Sequence, residues 1–480
     1  AVHLKELAYK LNLKKVFVSF MGANGRLNPP IRMSVTESGE KRSYNVADSL
    51  TPLIGYINKK EVGGITKVSG IKGVEKYYEY YLSPVRDEFI IGPRDIGGNI
   101  ILERSSKKTG RIDGYNLRLS VPLVFQRQLE RLIDESSDRY DAREVVVGIM
   151  NSKTGKILAL ATNARYDPSN ITKNDLKNLN FTASEYAYEV GSIMKPIIFA
   201  IAYDAKAVKP GEMINTYNGS YKLGSRIIHD THPAKQMSGE DIIAQSSNIG
   251  MIKISERLEG QIIYDGLMNF GMSQKTGIDL PYEQSGNIPS VKSLNNKIYK
   301  ATISYGYGAQ MTFLQMLNAY TVFNNGGVMI SPRIVENLEN NGKIYTVNES
   351  ETRQVVSKNT ADVIKGILIK TVESGTGRKG RVAGLQIGGK TGTARIAKGG
   401  GYSSAYNSSF FGFVNDAESS YTIGVLVREP KKGSYYAAQN APIFRRTVEM
   451  MVKEGYLKPA ADANATQKVE IKDEAVEIKD

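Results

Sequence analysis

Strand-like runs stand at both ends of one long stretch of this chain and helical ones fill its middle, and that order restricts the fold more than any other feature. EVVVGIM from Glu144 and KILALAT from Lys156 read as two strands joined at NSKTG. LQIGGKTGTARIA, SSFFGFVN and YTIGVLVRE return to strand patterns near the far end, before a terminal helix PIFRRTVEMMVKEGYL. Between them, over 184–325, IIFAIAYDA, EDIIAQSSNIGMIKISERL, IIYDGLMNFGM and TFLQMLNAYTVFNNGG carry helical periodicity, the last stopped by its glycines. Strands so far apart in the chain share a sheet only if it closes antiparallel around the helical insert, which predicts an α+β domain.

Residues 1–140 are polar, turn-rich and lysine-rich. GGITKVSGIKGVEKYYEYYL and IILERSSKKTGRIDGYNLRLSV read there as a short helix and a hairpin, parts of an extended non-catalytic module. A helix, VFQRQLERLIDESSDRY, leads from about Pro122 into a second domain expected over 141–457. The end of the chain, ADANATQKVEIKDEAVEIKD, repeats VEIKD and has few large apolar groups, so residues 458–480 are expected to form a mobile tail.

The 63 basic and 49 acidic residues leave a charge of +14, which favours anionic surfaces such as phospholipid headgroups or acidic polymers. No finger, RNP or basic-zipper signature is present, so nucleic acid is not an expected partner. The chain has no cysteine, which excludes disulfides, thiolate metal sites and a cysteine nucleophile and suits an oxidising compartment. No run of about 18 apolar residues occurs. The sequence opens at Ala1 with neither an initiator methionine nor a signal-peptide core. It is therefore expected to be part of a longer chain, with room for a membrane anchor upstream.

Short motifs recur by chance, and context separates them. Ser-x-x-Lys occurs at Ser38, Ser105 and Ser192, but only Ser192 and Lys195 stand at the mouth of an apolar helix, with Pro196 near its first turn. Lys-Thr-Gly occurs at Lys108, Lys153, Lys275 and Lys390, and Ser-x-Asn at several serines including Ser246. The ordered set is what carries weight: VGSIMK at Ser192, QSSNIG at Ser246 inside a helical pattern, and GGKTGTA at Lys390 on a strand.

These residues fit one chemical problem. A serine hydroxyl is a poor nucleophile until a base takes its proton. The only histidines are His3, His229 and His232, and no GxSxG elbow is present, which leaves lysine as the base. To act near neutral pH, Lys195 must fall from about 10.4 by roughly 3 units, or about 4 kcal/mol, which burial and a nearby cation such as Lys390 can supply. Ser246 would then relay a proton to the leaving amine, Asn248 would hold a substrate amide, and Thr391 and Thr393 would hydrogen-bond a carboxylate. Gly388, Gly389 and Gly392 would let a substrate backbone lie along the strand. The N–H groups of Ser192 and Thr393 would form an oxyanion hole, and the reaction class is acyl transfer.

YEVGSIMKP, SSNIGM, FGMSQKTGIDLP, SYGYGAQMTFLQMLNAYTVFNNGG, ESGTGRKGRVAGLQIGGKTGTA and AAQNAPIFRR resemble, in order over 144–456, the segments of class B penicillin-binding proteins. The GYG-containing segment is most similar to the septal, cell-division branch. The resemblance implies a penicillin-binding, serine beta-lactamase-like transpeptidase domain, with an antiparallel five-stranded sheet carrying helices on both sides, behind an elongated N-terminal pedestal. It implies a D,D-transpeptidase in which Ser192 attacks the penultimate D-Ala carbonyl of a peptidoglycan stem peptide, with Lys195, Ser246, Asn248, Lys390, Thr391, Gly392 and Thr393 completing the catalytic set. No cofactor and no metal are implied. The implied partners are D-Ala-D-Ala stem peptides, beta-lactam antibiotics, a membrane-embedded glycosyltransferase and division-complex proteins, at the extracytoplasmic face of the cell membrane.

Rival readings remain at this level. Side-wall elongation is the near alternative to a septal role. A serine beta-lactamase or beta-lactam sensor shares the three motifs, but a lactamase needs an extra base to activate water, and none is assignable. GLQIGGKT from Gly384 matches the P-loop pattern, yet strand-like residues and glycines follow where a helix is required. HDTHP offers His229, Asp230 and His232 as metal ligands, but reads better as a solvated turn.

Overall fold

The computed structural model describes residues 15–18, 25–27, 31–34, 42–62, 65–93, 95, 96, 99–347, 349–399, 401–433 and 440–460. The expected tail lies, from residue 461 on, outside the described residues. The chain divides into two compact units, Ala1–Tyr115 with Tyr166–Leu179, and Asn116–Arg165 with Asn180–Asp480.

The first unit is built from small pieces. A hairpin pairs Ile57–Val62 with Ile65–Gly70, two short helices span Gly73–Tyr77 and Glu79–Leu82, and Phe89–Ile91 pairs with Lys107–Thr109. Among its described residues Leu50, Leu53, Val74, Tyr78 and Tyr166 are the buried apolar ones, and Tyr56 meets Tyr166 edge to face.

The second unit is organised by a five-stranded antiparallel sheet in the order Gln386–Lys398, Gly401–Asn415, Ser420–Arg428, Glu144–Asn151, Ile157–Thr162. Early and late strands meet at its centre, where Val147 faces Val425 and Gly148 faces Gly424. Both faces of this sheet are covered, which is why EVVVGIM reads as a continuous apolar run rather than an alternating one. Strand alternation sends Phe410 to one face, 4.5 Å from the Phe444 ring of the terminal helix Asn440–Lys453. It sends Phe411 to the other, 5.1 Å from Phe313 and 5.8 Å from Tyr320. Those two rings belong to Phe313–Asn324, a helix with every residue buried, started by a capping box between Thr312 and Gln315. A helix buried all round needs polar partners, and Asn324 Nδ2 finds them in Ser152, Asn415 and Ser420 of the sheet.

Three sequence expectations need correction. The helix Leu123–Tyr140 buries Phe125, Leu129 and Ile133 in one core with Val145, Val147 and Phe444. An amphipathic helix joins whichever core covers its apolar stripe, so the boundary falls before Asn116 rather than after residue 140. The hairpin expected in IILERSSKKTGRIDGYNLRLSV does not form: Lys107–Thr109 pairs with Phe89–Ile91, and Asn116–Leu119 pairs with Val335–Asn340. The helical run EDIIAQSSNIGMIKISERL is broken into Gly239–Ala244 and Asn248–Ser255, with Ser246 at φ +61° between them.

Candidate active site

Ser192 lies in a 3₁₀ turn, Gly191–Met194, that runs directly into the helix Lys195–Asp204, whose Pro196 sits in the first turn. The turn is fixed from two sides. Gly191, at φ +63°, donates its N–H to the Gly306 carbonyl at 3.0 Å, and a Cβ on Gly306 would lie 1.9 Å from Gly191 O. From the central helix, Tyr320 donates its hydroxyl to the Ile193 carbonyl at 2.8 Å. Glu189 ties the same segment outward: its Oε1 accepts from the Gly308 N–H at 2.7 Å and from the Tyr402 hydroxyl at 3.1 Å.

Lys195 is fully buried, and its amine donates to the Ser246 carbonyl at 2.6 Å and to Ser246 Oγ at 3.1 Å. The sequence reading places that amine against Ser192 Oγ; the structure places it on Ser246, and Ser192 Oγ has no hydrogen-bond partner among the described residues. The reason is local. The left-handed backbone at Ser246 breaks the helical run and turns both of its oxygens toward the amine. Just beyond it, Ser247 caps the Asn248–Ser255 helix through the Gly250 N–H, and Asp230 accepts from Ser247 Oγ and from the N–H groups of Asn248 and Ile249. Asp230 therefore caps that helix, within a segment whose His229, Thr231, His232 and Pro233 are exposed, as the turn reading expects. Among the described residues no cluster of three or more His, Asp or Glu side chains is placed to hold a metal.

The strand Gln386–Lys398 forms the opposite wall and is the edge of the sheet. GLQIGGKT thus runs as strand, with no helix after it to meet a phosphate. Lys390 and Gly392 fall on one face by alternation. Lys390 is fully buried, with its amine donating to the Thr391 carbonyl at 3.1 Å. A Cβ on Gly392 would meet Ile193 Cγ2 at 2.9 Å and Val190 O at 3.0 Å, so this glycine admits the nucleophile's own segment. Gly388 and Gly389 serve the core rather than a substrate, because a Cβ there would lie 2.3 Å from the Phe413 ring and 2.5 Å from the Phe410 ring.

Among the described residues no carboxylate makes an ion pair with either buried lysine. An amine in that position releases its proton rather than stay charged. Burial brings Lys195 down to about 7, against a smaller upward pull from Asp230. Lys390 is pushed well below its ordinary range by burial and then by the charge of Lys195. The expectation that Lys390 is the cation that depresses Lys195 is thereby corrected: loss of water does it.

One cleft of about 500 Å³ collects the expected residues. Ser192, Ser246, Asn248, Thr391, Gly392 and Thr393 line it, and Lys195 and Lys390 lie buried behind its walls. Tyr307, Thr376 and Arg378 line it too and were not expected. Tyr307 lies within the quoted GYG segment, whereas Thr376 reaches the site only because Thr391 Oγ1 donates to its hydroxyl at 3.2 Å, which no local pattern announces. Glu189 was visible three residues before the serine, but its two partners come from distant segments. A hydroxyl beside two dry amines and a strand edge is equipped for acyl transfer.

Comparison with known proteins agrees. Residues 145–449 match the model of the penicillin-binding protein transpeptidase domain. The chain is 27% identical over 478 residues to the peptidoglycan D,D-transpeptidase FtsI of Buchnera aphidicola, covering 96% of this chain and 80% of that protein. It is 28% identical over 417 residues to the probable peptidoglycan D,D-transpeptidase PenA of Neisseria meningitidis, covering 86% and 68%. The fold superposes on penicillin-binding protein 3 of Mycobacterium tuberculosis with a TM-score of 0.74 at 23% identity, over 93% of this chain and 95% of that one. That protein has also been solved in complex with aztreonam and with ampicillin.

Proposed function

The chain belongs to the penicillin-binding protein transpeptidase family, and from that premise we propose that it is a peptidoglycan D,D-transpeptidase working through an acyl-enzyme on Ser192. The observation that carries this reading is the meeting of Ser192, a dry Lys195 and the edge-strand residues Thr391 and Thr393 around one cleft. A neutral amine has two N–H groups and one lone pair. Here the N–H groups are spent on the two oxygens of Ser246, which keeps the lone pair for the proton of Ser192.

Ser192 Oγ then attacks the penultimate D-Ala carbonyl while its proton passes to Lys195. The proton travels through Ser246 Oγ to the departing nitrogen, and terminal D-Ala leaves as the amine. A stem-peptide amine attacks the resulting ester, gives its proton to Lys195, and Ser192 is regenerated as the cross-link forms. Asn248 holds a substrate amide, the Thr393 hydroxyl and that of Thr391, its one O–H turned from Thr376 to the substrate, hold the carboxylate, and Gly392 keeps the nucleophile's segment against the strand. A beta-lactam enters the same path and stops at the ester, because its leaving nitrogen stays tethered in the site.

The likeness of the GYG segment to the septal branch supports a role in septal synthesis, and with that role we infer a membrane glycosyltransferase and division proteins as partners on the extracytoplasmic face. The first unit is then a non-catalytic pedestal. Among the described residues no helix is long and apolar enough to cross a membrane.

Intact-mass measurement after incubation with penicillin tests the reading, with Ser192→Ala alongside. A lasting adduct on the native chain alone is expected. An adduct that persists in the variant moves the nucleophile elsewhere, and rapid release of the native adduct converts the reading to a beta-lactamase.

A further inference from the structure

The far wall of the cleft carries a charge that the chemistry above leaves unused. Ser374, Gly375, Thr376 and Arg378 follow the helix Lys358–Glu373 and line the cleft. This stretch is held in place at both ends of Thr376, whose N–H donates to the Ala244 carbonyl at 3.1 Å and whose hydroxyl accepts from Thr391 Oγ1 at 3.2 Å. Arg378, two residues on, is exposed, and its guanidinium makes no ion pair or hydrogen bond among the described residues. Among the described residues no aspartate or glutamate lines the cleft to occupy it.

The threonine hydroxyls beside it offer hydrogen bonds without charge, and the two lysines behind them are dry. An anion bound at Thr391 would find one permanent cation within the same end of the cleft. A guanidinium suits that task because its planar fork pairs with both oxygens of a carboxylate and keeps its charge at any working pH.

We propose that Arg378 is a specificity residue whose guanidinium pairs with the C-terminal carboxylate of the donor stem peptide, and with the matching carboxylate of a beta-lactam, beside the hydroxyls of Thr391 and Thr393. The proposal rests on the D,D-transpeptidase reading. It explains how the cleft selects a peptide that ends at the leaving D-Ala over one that continues as a neutral amide. Arg378 touches the part of the substrate that departs, so its effect lies in the choice and seating of the donor rather than in proton transfer.

The test compares a penicillin with its methyl ester, which replaces that charge with a methyl group. The second-order rate of mass gain on Ser192 is measured for both compounds in the wild-type chain, Arg378→Ala and Arg378→Lys. A charge-assisted pair predicts that Arg378→Ala loses roughly 10- to 100-fold with the acid and keeps the ester rate, with Arg378→Lys between. The acid-to-ester ratio of the wild type stays level from about pH 6 to pH 9, because Lys195 serves both compounds alike and the guanidinium does not titrate. An unchanged ratio in Arg378→Ala, an equal fall for both compounds, or a wild-type ratio that decays through the histidine range near 6.5 overturns the assignment. A wild-type chain that takes no adduct from either compound overturns the transpeptidase reading itself.

Discussion

Acylation at Ser192 should follow the protonation of one amine, and the structure says where that titration lies. Burial brings Lys195 from 10.5 to about 7, a difference of about 5 kcal/mol between its charged and neutral forms. Only the neutral form takes the serine proton. The neutral fraction is about one-tenth at pH 6, about one-half at pH 7 and about nine-tenths at pH 8, so the rate climbs roughly tenfold over that span and then flattens. The assay is mass gain on Ser192 against time with penicillin in excess, repeated across pH.

Asp230→Asn sharpens the test. The carboxylate of Asp230 holds the Lys195 pKa up, while an asparagine keeps an acceptor for the Asn248 N–H and removes the charge. The acidic limb should therefore move below that of the wild type, leaving the variant closer to its own plateau at pH 6. A limb centred above about pH 9, where an exposed lysine would begin to titrate, refutes loss of water as the origin of the base. A limb that Asp230→Asn leaves in place or moves upward refutes the opposing pull assigned to Asp230.

Two further perturbations probe how the site is held. Glu189→Gln weakens the tie to Gly308 and Tyr402; it should cost about 1 kcal/mol in thermal unfolding, and the Tyr402 phenol, which burial and then Glu189 push up, should ionise at lower pH by absorbance. Lys390→Met removes a buried amine of similar shape and should raise the melting temperature while slowing acylation. The gain shrinks as pH rises: the unfolded chain keeps this lysine protonated up to its ordinary range and the folded chain does not, so wild-type stability itself climbs between the lowered folded pKa and 10.5. Equal gains at pH 6 and pH 9 would contradict the burial of that amine.

Long apolar runs were legible because both faces of the sheet are covered, and so were the Phe313–Asn324 helix and the strand carrying Lys390. Tertiary pairings were not: Asn116–Leu119 has too few apolar residues to declare a partner, and it finds one far along the sequence in Val335–Asn340. The break at Ser246 escaped because serine in a left-handed conformation leaves no mark of the kind glycine leaves. The ordered motifs and the family resemblance together point to the eight residues of the expected site, yet they misplace the lysine's hydrogen bond, since spacing fixes which helix face a side chain shares but not which oxygen a neighbouring loop presents.

Lysine serves as a base only where water cannot reach it, and here three elements enclose the amine: the apolar helix Lys195–Asp204, the turn at Ser246 and the edge strand. The wall that receives the substrate is thus part of the base, and a change that lets water behind it returns Lys195 toward 10.5 without touching Ser192. The repeated motifs illustrate the point. Ser105 and Lys108 have the same spacing, but the Lys108 side chain is 62% exposed and pairs with Glu88 at 3.2 Å, so water reaches that amine and a carboxylate faces it. The same two letters acquire or lose their chemistry according to what surrounds the nitrogen.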